Sequence, residues 1–174
     1  MEIVSLEHMY IAELQELASV ERQVAECLAR VGKAASHPAL KNVLLDHREE
    51  TERQNDRLET ILEKRGADPV AHNDQAMQAL VHETERTLPM LRGGELRDAG
   101  IIASIQRLKH YEIAAYGSAA ALARQLNLAE DLRMLHETLE EEKEADLSLT
   151  VLAESEINPD ALAAQFAPSS ARMQ

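Results

Sequence analysis

Aromatic side chains are scarce in this sequence: Tyr10, Tyr111, Tyr116 and Phe166 are present, and there is no tryptophan. Glycine and proline are also few, six and five among 174 residues. A strand-rich sandwich or barrel draws on aromatic and β-branched residues and on frequent turns, so this composition speaks for helices instead. Basic residues are in deficit, 18 Lys and Arg against 31 Asp and Glu, leaving a formal net charge of −13. A surface of that sign repels a phosphate backbone, which proteins hold with Lys and Arg, so nucleic acid is not an expected partner. Cys27 is the single cysteine, so the chain has no intramolecular disulfide and no second thiol for a zinc or redox motif.

Long apolar runs are missing too. No stretch approaches the roughly 18 apolar residues of a membrane span, so no membrane association is expected. The opening MEIVSLEHMYIAEL lacks the basic start and unbroken apolar core of a signal peptide. With the lone thiol, these features lead us to expect a cytoplasmic protein. At 45% hydrophobic, the chain is long enough for one domain with a core of its own.

What the sequence does have is helical periodicity. Leu6, Tyr10, Leu14, Leu17, Val24, Leu28 and Val31 recur by threes and fours, which predicts a helix from about Ser5 to Val31 that Gly32 stops. Pro38 suits a first helical turn, and Leu40, Leu44, Leu58 and Ile61 mark a second helix ending at Gly66. A linker follows, with Asp74 as the cap of a shorter helix carrying Ala76, Leu80, Val81 and Leu88, broken by RGGEL. Ile101, Ile105, Leu108, Ala115, Ala119, Leu122 and Leu126 define a third long helix. Asn127 is a hinge to a fourth, with Leu128, Leu132, Leu135, Leu139, Leu149 and Leu152, ended by Asn158-Pro159. Two antiparallel helix hairpins joined by a crossover that contains a short helix make an all-α, ferritin-like four-helix bundle. The expected domain is residues 1–158, with a flexible tail at 159–174.

The apolar stripes are interrupted near mid-length. Glu21 falls in the series 14, 17, 21, 24, 28 of the first helix, and His47, Thr51 and Gln54 interrupt the second, with Glu50 at its flank. Glu112 sits among apolar residues of the third helix beside Lys109 and Tyr116, and Glu142 and Asp146 interrupt the fourth, with Glu141 flanking. Glu21 to Glu50 and Glu112 to Glu141 are both 29 positions, which hints at a two-fold internal repeat. A buried carboxylate is costly unless it is paired, protonated or bound to a cation. Carboxylates from four helices with a histidine nearby supply what a carboxylate-bridged pair of metal ions needs, and iron or manganese suits such hard donors. The candidate ligands are Glu21, His47, Glu50, Glu112, Glu141, Glu142 and Asp146. Glu140, Glu144 and the other acids of the helix faces read as ordinary solvated charge, and His47 reads equally well as a core histidine.

Four motifs carry a likeness to a known family: EL-x2-L-x3-E-x-Q from Glu13 to Gln23, H-x2-ET-x2-Q-x3-L from His47 to Leu58, HYEIAAYG from His110 to Gly117, and L-x-EEK-x2-D-x2-L from Leu139 to Leu149. The chain resembles the YciF/YciE-type stress-response proteins over about residues 3 to 156. The resemblance implies a rubrerythrin-related bundle, a homodimer, and a di-metal centre whose carboxylate ligands stand at Glu21, Glu50, Glu112 and Glu141. The family pattern carries Glu where this sequence has Lys109, and the second helix reads His47-x2-Glu50 rather than E-x2-H. Two functions of different class follow. In one, two iron or manganese ions act on peroxide or dioxygen in oxidative stress, with Tyr10 or Tyr116 close by. In the other, a non-catalytic dimeric bundle has its core acids neutralised by Lys109 and histidine, and the metal is absent.

Overall fold

The computed structural model describes residues 2–166, and among these there is helix and no strand. Helix α1 spans Leu6–Ala34, α2 Pro38–Lys64, α3 Gln75–Thr87, α4 Gly94–Gln125, α5 Ala129–Leu152 and α6 Asn158–Ala164. Ser5 caps α1 by accepting the His8 N–H, and Asp74 caps α3 by accepting that of Met77 at 2.6 Å. Two ends close with a left-handed residue. Gly66 has φ 64°, with Ala67 N–H returning to the Leu62 carbonyl, and Asn127 has φ 59°, with Leu128 N–H returning to that of Ala123.

Three expected boundaries move. Gly32 does not stop α1, which runs on to Ala34. A lone glycine costs a helix only about 1 kcal/mol and keeps both of its backbone hydrogen-bonding groups. The RGGEL segment breaks the chain only at Gly93, whose φ is 92°, and Gly94 already belongs to α4. Asn158-Pro159 does not end the last helix. A five-residue π stretch, Ala153–Ile157, passes α5 into α6, and Pro159 sits in the first turn of α6, where a missing N–H costs little. The expected tail is therefore helical as far as Ala164, and Ala161 is buried where α6 packs on α4. Residues 167–174 lie outside the described ones.

The four long helices make a bundle in which α1 lies along α2 and α4 along α5, closed by contacts of α1 with α4 and of α2 with α5. His47, early in α2, meets Ser148 late in α5, while Arg65, just past α2, binds Asp131 early in α5, so these two helices run antiparallel. Residues 65–93 carry α3 across α1 and α4. That crossover lies close: a Cβ at Gly100 would come within 2.1 Å of Leu91 Cδ1.

Burial divides the core in two. One apolar cluster holds Val20, Val24, Leu28, Leu44, Ile105, Leu108 and Leu149, and the other holds Tyr10, Leu14, Leu17, Leu58, Ile61, Tyr116 and Leu135. Between these stretches of α1, α2, α4 and α5 lie Glu21, His47, Thr51, Gln54, Lys109, Glu112 and Glu142, all buried. The interruptions of the apolar stripes thus become a polar layer across the middle of the bundle.

Candidate functional site at the middle of the bundle

Lys109 is the centre of the polar layer. Its side chain is 1% exposed, and Nζ stands 3.0 Å from Glu142 Oε1, 2.8 Å from Glu142 Oε2 and 3.1 Å from Glu112 Oε2. Burial alone would push the ammonium down, yet Glu112, Glu142 and Glu21 together hold its pKa above the usual value. Glu112 lies one turn on from Lys109 along α4, and Glu142 reaches in from α5, so the contact joins two helices.

Glu21 and Glu112 are both fully buried. Burial, reinforced by the charge of Glu142, pushes the Glu21 carboxyl up to about 8 against the opposing pull of Lys109 and Tyr116. Glu112 is raised well above its ordinary value for the same first reason, burial, and then by Glu142. The Tyr116 hydroxyl donates to Glu21 Oε1, and burial followed by the Glu21 charge keeps this phenol protonated. Three carboxyl groups around one ammonium cannot all ionise in a dry core. Glu142, touched through both oxygens, carries the charge that balances Lys109, while Glu21 and Glu112 are held towards the neutral form.

The other candidate ligands stand outside this cluster. Glu141 is claimed by Arg57, whose Nη1 and Nη2 donate at 2.5 and 2.8 Å, and by Gln54 at 3.1 Å. These hydrogen bonds hold its pKa low in spite of partial burial. Glu50 is half-buried at the flank of α2, 4.0 Å from Arg53, and burial raises its pKa. Asp146 accepts from Gln106 at 3.3 Å and lies 3.5 Å from His110. Tyr10 is at the end of the bundle, donating to Asp131 under Arg65, and takes no part in the mid-core. Arg57 is the residue that sequence reasoning missed. Its signal is a cation two turns past Glu50 on the same flank of α2.

His47 is a core histidine. It is 5% exposed, and burial and then the charge of Lys109 lower its pKa to about 4. The Ser148 hydroxyl spends its hydrogen on the Ala145 carbonyl at 2.8 Å, so His47 Nε2 donates to Ser148 Oγ at 3.2 Å and Nδ1 keeps its lone pair. A histidine with a depressed folded-state pKa contributes stability that is complete above the unfolded value of about 6.5 and is lost as pH falls towards 4. Urea melts between pH 7 and pH 4 should show roughly 2–3 kcal/mol of acid-linked loss that His47→Gln removes. An unchanged pH slope in that variant would show that His47 is charged in the fold.

These positions do not fit a two-ion centre. An ammonium fills the space between Glu112 and Glu142, two expected ligands are tied to Arg57 and Arg53, and His47 faces Ser148. Among the described residues no group of three His, Cys, Asp or Glu stands in a metal-holding arrangement. The internal repeat shows the same asymmetry. Lys109 and Glu142 correspond by the common spacing to Ala18 and Thr51, so one half of the bundle offers an ion pair and the other a methyl and a hydroxyl.

Known proteins share this frame. Protein YciF of Escherichia coli is 35% identical over 162 residues, 92% of this chain and 98% of its own. The crystal structure of that stress protein superposes with a TM-score of 0.84 over 90% of this chain and 99% of its own. YcfI of Rhodopseudomonas palustris is 32% identical with a TM-score of 0.83, covering 86% of this chain and 95% of its own. A protein of Xanthomonas campestris pv. campestris, 21% identical with a TM-score of 0.73 over 93% of this chain and 100% of its own, supports the fold alone. Residues 5–162 match the family described as Domain of unknown function (DUF892), and the chain belongs to it.

Proposed function

We propose that this chain is a cytoplasmic stress-response protein that works as a non-catalytic helical bundle, its mid-core carboxyls neutralised by Lys109 in place of iron or manganese. The position of the Lys109 ammonium between Glu112 and Glu142 carries the reading. A stress role rests on the similarity to the Escherichia coli stress protein. Homodimer formation belongs to the same proposal, supported by the exposed apolar residues Leu147 and Val151 one turn apart on α5.

A second reading keeps the di-metal centre and gives it peroxide or dioxygen as substrate. It is favoured by Glu21 Oε2 and Glu112 Oε1, buried oxygens with no hydrogen-bond partner. Elemental analysis separates the two, on protein purified without chelator, incubated with ferrous iron and with manganese separately, then desalted. The expected content is background under both conditions. About two ions per chain, lost in Glu21→Ala, would overturn the ion-paired reading and make peroxide the first substrate to try.

A further inference from the structure

We infer that the cleft between α1 and the start of α3 is a binding site for a small polar α-amino acid, with Arg22 taking its carboxylate and Glu26 its ammonium. The cleft has a volume of about 370 Å³, within the roughly 300–1,000 Å³ range of small-molecule sites. It shares no side chain with the Lys109 cluster, so its occupancy is independent of the ion-paired core. Hydrogen bonds fix its walls. Gln23 Nε2 reaches Ser19 Oγ at 3.1 Å and the Asp74 carbonyl at 3.0 Å, and the Asp74 N–H donates to Ser19 Oγ at 2.9 Å. Arg22 Nη1 donates to the Pro69 carbonyl at 3.1 Å. The crossover is thereby tied to α1, and the cleft is formed before a ligand arrives, which lowers the cost of binding.

Two opposite charges face this space. Arg22 is half-buried and forms no ion pair among the described residues, so most of its guanidinium fork has no acceptor. Glu26 follows one turn later on α1 and touches only Arg30, at 3.6 Å, whose Nε is committed to Glu85 at 2.6 Å. A guanidinium beside a carboxylate matches the two ends of an α-amino acid, the fork meeting the planar carboxylate and the acid meeting the ammonium. Such a ligand has no net charge, so the −13 of the chain does not repel it as it would a plain anion. The remaining lining favours a polar side chain on the ligand. Ser19 is 2% exposed and accepts two N–H groups, which leaves its own hydrogen without an acceptor among the described residues. A buried donor at that place calls for an oxygen in the cleft. Asn73 Nδ2 and the Gln78 side-chain amide are likewise without partners among the described residues.

The test is a titration of the 15N-labelled chain with L-glutamine and L-serine, followed by amide chemical shifts. Two analogues of glutamine are titrated beside them: glutaramate, which lacks the ammonium, and 4-aminobutanamide, which lacks the carboxylate. Saturable shifts confined to amides around Arg22 and Gln78 are expected for at least one amino acid, with a dissociation constant below about 5 mM and both analogues about tenfold weaker or worse. Arg22→Gln should weaken the amino acid about tenfold and leave 4-aminobutanamide unchanged, and Glu26→Gln should weaken it similarly and leave glutaramate unchanged. The melting temperature of each variant shows that it is folded. No saturation by either amino acid overturns the inference, as does glutaramate binding as tightly as glutamine. If Arg22→Gln does not fold without its bond to Pro69, Glu26→Gln decides alone, and unchanged amino-acid affinity in it overturns the site.

Discussion

Lys109→Met is expected to cost this protein about 3–5 kcal/mol of folding stability at pH 7. The side chain is 1% exposed and is bound to two carboxyl groups. Its removal leaves Glu142 as a buried charge with no cation beside it, and the apolar stem of methionine fills the space without answering that charge. The double variant Lys109→Met, Glu142→Met should recover most of the stability, because an apolar pair of similar volume pays no desolvation cost. Urea denaturation of the three proteins at pH 7 reads both effects. A Lys109→Met variant as stable as its parent at pH 7 would show that the ion pair does not hold the core.

Asp98→Ala should come next, at about 2–4 kcal/mol. Asp98 is buried near the start of α4, where Oδ1 accepts the Ser36 N–H at 2.7 Å and Oδ2 that of His37 at 2.8 Å. Those two amides belong to the short connection between α1 and α2, and the N-terminal groups of α2 have no intrahelical partner of their own. One carboxylate thus ties the turn of one helix pair to the first turns of the other. Charge-assisted bonds of this kind are about twice as strong as neutral ones, and alanine orphans both donors at once. Asp98→Asn keeps a single acceptor and should lose about half as much. Hydrogen exchange locates the effect: protection at Ser36 and His37 should fall in Asp98→Ala while that of the mid-core amides around Glu112 is retained. Unchanged protection at both amides would refute the tie.

The helices themselves were legible because their signals are local. Apolar spacing by threes and fours, a Ser5 or Asp74 cap, and a Gly66 or Asn127 able to take positive φ need no neighbouring element to be read. The errors were local too. A single glycine at 32 reads as a stop although a helix tolerates it, and the π stretch at Ala153–Ile157 has no side-chain signature that distinguishes it from an α-turn. Among the site residues, Glu21 and Glu112 were legible as buried because apolar residues flank them on every side of their stripe. Glu50 and Glu141 share the same 29-residue spacing from those two and yet lie at the rim. A residue at the edge of a stripe faces inward or outward according to how far its helix is rotated against its partner, and sequence spacing does not carry that rotation.

The sequence by itself determined that this chain is an all-helical bundle with acids interrupting the apolar stripes at mid-length, and that a lysine stands one turn from Glu112. Periodicity and burial cost suffice for that much. The tertiary structure alone decided which acids meet the lysine, that Arg57 from α2 removes Glu141 from the set, and that His47 answers to Ser148. These outcomes depend on side chains from different helices arriving within about 3 Å of one another. Such distances are fixed by the rotation and axial offset of packed helices, which no single helix encodes.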